Sequence, residues 1–239
     1  NTDGPDGQMA DFEILYTFGV TPLQQYLVAL PGGRLQALSI SWDSRPRAEG
    51  GQRWFHLYPD EKIDHRDELH WTKLSQNWNF MCAECHSTDL QKNYDEATHG
   101  YRTTWAEIDV SCEACHGPGS RHVAFTEKQP GHEQIDPETL GLTHRLDERK
   151  GVNWPIQTAT GNAQRSSPRT TTREIETCAR CHSRRGQWFG DYQPGQPLMN
   201  THLPALLRAG MYHVDGQIDG EVYEYGSFLP SRMFQAGVT

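Results

Sequence analysis

Along the first forty residues, apolar and polar positions alternate as they do in β-strands. Three apolar runs stand out: Phe12 to Phe18, Tyr26 to Leu30, and Leu35 to Trp42. Between the last two, Pro31-Gly32-Gly33 has the chemistry of a hairpin turn, because glycine accepts positive φ without steric cost. A small antiparallel β element is expected. After Asp43 the alternation breaks up. A loop from Arg45-Pro46 to Gly50-Gly51 leads to a short aromatic patch, Trp54 to Tyr58. Residues 60–80 are polar with Trp71, Leu74, Trp78 and Phe80 interspersed, which predicts a helix or loop. Residues 127–172 are rich in Pro, Gly, Thr, Asn and Gln and read as a connection wrapped over the surface. Leu203 to Met211 predicts a last helix, before a turn at Asp215-Gly216. The predicted organisation is a β-rich part over 1–58, followed by one continuous part over 59–239 built from short helices and long loops.

Composition sharpens this picture. Only 35% of the 239 residues are apolar, against roughly 45–50% in ordinary globular domains, while 22 glycines and 14 prolines imply many loops. Side chains alone leave such a chain short of core. A large apolar cofactor would supply the missing buried surface. The formal net charge of -9, with no basic stripe, excludes a nucleic-acid partner. No segment approaches the roughly 20 apolar residues of a membrane span, and no signal-peptide pattern opens the chain. The opening Asn1 to Gly7 reads as loop, so this chain is expected to be an internal portion of a longer protein.

The cysteines name the cofactor. All six lie in three Cys-x-x-Cys-His segments: Cys82–His86, Cys112–His116 and Cys178–His182. Two thiols three positions apart can each form a thioether to one porphyrin, and the adjacent histidine then ligates the iron. Three disulfides would also use six cysteines, and zinc knuckles also use Cys-x-x-Cys pairs. Neither explains a histidine after every second cysteine. The reading is therefore three haem c groups, attached through Cys82, Cys85, Cys112, Cys115, Cys178 and Cys181, with His86, His116 and His182 as proximal ligands. The fold class that follows is α+β with little regular structure, packed around these haems.

Each iron has a second face. Nine further histidines are available to fill it. His122 leads, because Gly117-Pro118-Gly119-Ser120 is a turn able to aim it away from its own haem. His213, His70 and His56 follow, each embedded in aromatic or apolar sequence, whereas His65, His99, His132 and His144 sit among charged or turn residues and are expected in solvent. Met81 and Met233 are expected in a core role rather than as axial ligands. The first two motifs, 30 residues apart, are expected to be neighbours in space.

The wording of several segments resembles a known family. TFGVTPLQQYLVALPGGRLQALSISWDSRP (17–46), GGQRWFHLYPDE (50–61), NWNFMCAECHSTDLQKNY (77–94), TTWAEIDVSCEACHGPGSRH (103–122) and EYGSFLPSRMFQAGVT (224–239) resemble bacterial multihaem cytochromes. These look like the small tetrahaem carriers of ammonia oxidisers and are often followed by tetratricopeptide repeats. The resemblance implies that His122 is a distal ligand of another haem. It also implies further haem motifs before the β region and after Thr239, neither of which this chain carries.

The expected function is electron transfer through closely spaced haems, in a periplasmic carrier or an extracellular conduit, with redox proteins or neighbouring cytochrome subunits as partners and room for a homo-oligomer or filament. The alternative is a haem enzyme acting on a small nitrogen or sulfur compound. It would need an open iron face and acid–base groups, for which His56, Tyr101, Arg102 and Arg121 are the candidates, and nothing in their spacing singles them out. Thioether attachment takes place outside the cytoplasmic membrane, so a periplasmic or extracellular location is expected.

Overall fold

A computed structural model describes residues 1–205, 207–220 and 223–239. It is a mixture of small antiparallel sheets and short helices, and the chain divides into two compact units, Asn1–Asp109 and Val110–Thr239. The division lies well beyond the change in sequence character near residue 58. The reason is that Asn77 and Asn79, just before the first cysteine motif, are hydrogen-bonded to the β element, while Cys82 and Ala83 pack on its core.

In the first unit, β1 (Thr2–Asp3) and β2 (Met9–Ala10) form a short ribbon. The main sheet is built around β4 (Leu23–Leu30), with β3 (Ile14–Phe18) along one side. On its other side the C-terminal half of β4 pairs with β5 (Arg34–Ala37) and its N-terminal half with β6 (Ile40–Asp43). The single apolar run read from Leu35 to Trp42 is thus one line of chain broken in the middle, where the Leu38 N–H still donates to the Tyr26 carbonyl at 3.0 Å. β7 (Arg53–His56) completes the sheet against β6. The predicted turn is present, with Gly32 and Gly33 at φ +81 and +70. A Cβ on Gly33 would lie 2.1 Å from the Tyr101 carbonyl oxygen, so the close approach admits only glycine.

β4 buries both faces. Leu27 packs with Leu35, Ala37, Trp78, Ala83 and Leu90, while Val28 and Leu30 pack with Trp71. Covering both faces requires the chain to pass around the edge at β5, and buried amides make that passage. Gln36 Nε2 donates to the carbonyls of Trp71 and Lys73, both at 2.8 Å. Asn77 Nδ2 donates to Gln36 Oε1 at 2.7 Å, and Asn79 Oδ1 accepts from the Leu35 N–H at 2.7 Å. These side chains stand where a further strand would otherwise be needed. Asn77 also caps α1 (Trp78–Met81), its side chain accepting from the Phe80 N–H at 2.9 Å. α2 (Ala83–His86) follows at once and carries the first motif. A ribbon of β8 (Tyr94–Asp95) and β9 (Gly100–Tyr101) completes this unit.

The second unit holds α3 (Glu113–His116), α4 (Ser120–Thr126) and, after a long connection with one 3-10 turn, α5 (Arg173–His182). β10 (Arg185–Gln187) pairs with β11 (His202–Pro204), and α6 (Glu224–Phe228) and α7 (Arg232–Gln235) end the chain. The helix expected over Leu203 to Met211 is not formed: its start is strand, and turns follow. Pairing of Leu203 with Gly186 takes the backbone hydrogen bonds, and Pro204 and Gly210 both oppose a helix there. Leu206 of that stretch lies outside the described residues.

Among the described residues, both clusters of buried apolar side chains belong to the first unit. The buried apolar residues of the second, Ile135, Ile175, Ala179, Leu198 and Tyr212, form no such cluster. α5 is held largely by polar contacts instead. Glu174 accepts from the Glu148 N–H at 3.2 Å and pairs with Arg149 at 2.8 Å, and Glu176 accepts from the Leu198 N–H at 2.9 Å.

One ion pair in the sheet sets an acid limit. Buried Asp43 is gripped by the Arg45 guanidinium at 2.7 and 3.0 Å, which holds its carboxyl down to about 2. A depressed folded pKa stabilises above the ordinary aspartate value and loses that stabilisation as pH falls through the folded value. Asp43→Asn is therefore expected to flatten the fall in unfolding midpoint between about pH 4 and pH 2, followed by circular dichroism. An unchanged acid limb would show that the pair contributes nothing.

Candidate functional site

Each Cys-x-x-Cys-His segment is a helical turn ending at its histidine. One turn of helix brings positions i and i+3 to the same side, so both thiols can address one flat ring. None of the six cysteines is joined in a disulfide, so each sulfur is open to a thioether bond. Cys112 and Cys178 are exposed. Cys82 lies deeper, and burial, followed by the neighbouring Cys85, pushes its thiol up to about 11.

The first and third motifs are built alike. Ala83 and Ala179, between the cysteines, are fully buried, and the serine after each histidine, Ser87 or Ser183, donates back to that alanine's carbonyl. The sequence carried this signal in CAECHS and CARCHS. The second motif ends differently, at Gly117 with φ +74, where a Cβ would press to 3.0 Å on Thr143. This releases the chain into α4 and sets the site of His122.

Two of the three motif histidines have a partner at Nδ1. A metal-binding imidazole usually donates its second ring nitrogen to a carbonyl or carboxylate, which fixes the proton there and leaves the other lone pair free. His116 Nδ1 donates to the His144 carbonyl at 2.9 Å, and the His144 N–H donates in return to the His116 carbonyl at 3.2 Å. His182 Nδ1 meets the Glu224 carboxylate at 3.2 Å. His86 is exposed, with its ring 6.3 Å from Phe18.

The same test separates the candidate distal histidines. His122 Nδ1 donates to the Leu140 carbonyl at 2.7 Å, which leaves Nε2 as a lone pair. His56 has the opposite tautomer, because its Nδ1 accepts from the Tyr58 N–H at 3.0 Å. His70 is buried with both nitrogens engaged, Nδ1 with Thr72 at 2.8 Å and Nε2 with the Asp3 carboxylate at 3.2 Å. His213 is exposed, its Nε2 facing Asp219 at 3.5 Å. Of the four, His122 alone presents the arrangement of the proximal ligands. His56 and His70 instead line a small cavity of about 120 Å³ with Asp3, Ser39, Ile40 and Trp71.

Two expectations about surroundings are corrected. His144 is not in solvent but 8% exposed, with an Nε2 that has no hydrogen-bond partner. Its charged flanking residues misled the reading, because they turn outward or pair with α5 while the ring turns in. Burial, then the Arg173 charge, lowers its pKa, so the ring is neutral. Met81 and Met233, expected in the core, are 53% and 59% exposed.

The second and third motifs share a unit although their first cysteines are 66 positions apart. Their thiols are near enough that Cys115 helps to raise the Cys178 pKa, after burial. The first motif lies in the other unit.

Residues 41–117 match the family model described as cytochrome c554 and c-prime, a span that contains the first two motifs and ends at Gly117. That part of the chain is similar to a c-type cytochrome. The third motif lies beyond the matched span, and rests on its own cysteines and on its likeness to the first. Neither a curated protein nor a solved structure matches the chain. Among the described residues, no helix is long and apolar enough to cross a membrane.

Proposed function

We propose that this chain carries three covalently attached haems and passes electrons between them and to redox partner proteins, outside the cytoplasmic membrane. The observation that carries the reading is the second unit's combination of two Cys-x-x-Cys-His turns with no clustered apolar core among its described side chains. A polypeptide of that length needs buried apolar area to fold, and two porphyrins would provide it. Bound haem supplies an iron that alternates between ferrous and ferric states. The chain's part is to hold that iron with imidazole from both faces, so that oxidation changes little else. His116 and His182 are held for this by Nδ1 partners, and His122 offers a matching Nε2 toward a haem other than its own. Trp188 and Phe189, 66% and 59% exposed, are apolar surface suited to a porphyrin face or a partner cytochrome.

The test is spectroscopic. The oxidised holoprotein is expected to show three haems per chain by pyridine haemochrome assay, with low-spin signals in electron paramagnetic resonance. His122→Ala should keep all three haems and turn one iron high-spin. Fewer than three haems would overturn the count. A high-spin wild-type centre that binds cyanide would overturn the pure carrier, and unchanged spin in His122→Ala would remove that ligand.

A further inference from the structure

His144 stands apart from every other histidine in the second unit. It is nine-tenths buried, and its Nε2 has no hydrogen-bond partner among the described residues. Leaving a buried imidazole nitrogen unsatisfied is destabilising, so its occurrence calls for a partner. The ring is also tightly fixed. Gly195, at φ +83, passes so close that a Cβ there would lie 2.7 Å from His144 Cγ. The backbone is fixed too, by the reciprocal hydrogen bonds with His116.

Those bonds decide which iron the ring can serve. The His144 carbonyl caps Nδ1 of His116, on the opposite side of that imidazole from the nitrogen that ligates. The His144 backbone therefore sits behind the proximal ligand of the Cys112–His116 haem, not across that ring. The chain following His144 docks on α5, through Glu148 to Glu174 and Arg149 to Glu174, and Arg173 at the head of α5 acts on His144 itself. α5 bears Cys178, Cys181 and His182.

Building on the three-haem reading, we infer that His144 Nε2 is the distal axial ligand of the haem held at Cys178 and Cys181. His116 and His144, joined by their hydrogen bonds, then tie the proximal ligand of one haem to the distal ligand of the next. Met or a water molecule need not be invoked at that iron. His122, whose Nε2 is free by a different geometry, serves a different haem.

The experiment uses the holoprotein and its variants in the oxidised state. In His144→Gly, three haems should remain attached by pyridine haemochrome assay while one iron becomes high-spin, and added imidazole should restore the low-spin signal. The double variant His122→Ala/His144→Gly should contain two high-spin irons. When the third haem is removed by Cys178→Ala/Cys181→Ala, adding His144→Gly should produce no high-spin iron. If glycine impairs folding, His144→Met provides the second route, since it should stay low-spin and gain the near-infrared charge-transfer band of methionine ligation. Unchanged spin in His144→Gly, no methionine band in His144→Met, or a high-spin iron that persists without the third haem would overturn the assignment. A wild-type protein lacking covalent haem would instead overturn the reading beneath it, so the two failures are distinguishable.

Discussion

Replacing Cys112 and Cys115 together by alanine is expected to lower covalent haem from three per chain to two, and to loosen the second unit while leaving the first folded. α3 is four residues long, and a single isolated turn of helix is unstable in water, so on the proposed three-haem reading a tethered ring would give this segment its shape. The second unit has no apolar cluster among its described side chains to take over that role. Loss of a ring should therefore be felt as far as the His144 segment, which is bonded to His116. Limited proteolysis of the variant is expected to cut within 127–172 at least tenfold faster than in the parent, an order-of-magnitude estimate for a local opening made about 1.4 kcal/mol easier. Cleavage in 1–109 should be unchanged. Three haems in the variant, or unchanged protection of the second unit, would contradict this account.

Trp78→Ala is expected to have the largest effect on the first unit. Trp78 is 2% exposed, meets Trp105 edge-on at 5.4 Å between ring centres, and packs with Leu27, Leu35 and Leu90. Truncating a buried aromatic of this kind costs about 3–5 kcal/mol through lost transfer energy and the cavity left behind. For a unit of this size that corresponds to a fall in melting temperature on the order of 15 °C. The loss should also reach the chemistry, because Trp78 opens α1 and Cys82 packs against the same cluster. Calorimetry of the holoprotein provides the measurement. A shift of only a few degrees would mean that the ring is supported by the attached haem and not by these side chains.

The β element was legible from the alternation of apolar residues and from Pro31-Gly32-Gly33, because strand period and turn chemistry are local properties. What alternation did not reveal was that β4 buries both faces, or that Gln36, Asn77 and Asn79 fasten the first motif to the sheet edge. Those amides look like ordinary loop residues in sequence. The expected helix over Leu203 to Met211 gave way to a strand because its partner, Arg185–Gln187, is distant in sequence. His144 was misread for a similar reason: flanking charges mark a segment as polar without revealing which way one ring turns.

By itself, the sequence determined the three Cys-x-x-Cys-His segments and pointed to haem c, with the histidine of each as the expected proximal ligand. Those features need only five consecutive residues and one turn of helix. The tertiary structure decided which further imidazoles are available as ligands, since that depends on the carbonyl or amide each ring nitrogen meets. His122 gains its tautomer from Leu140, and His144 its burial from Gly195. It also decided that the second and third motifs share a unit, although their first cysteines are 66 positions apart in the chain.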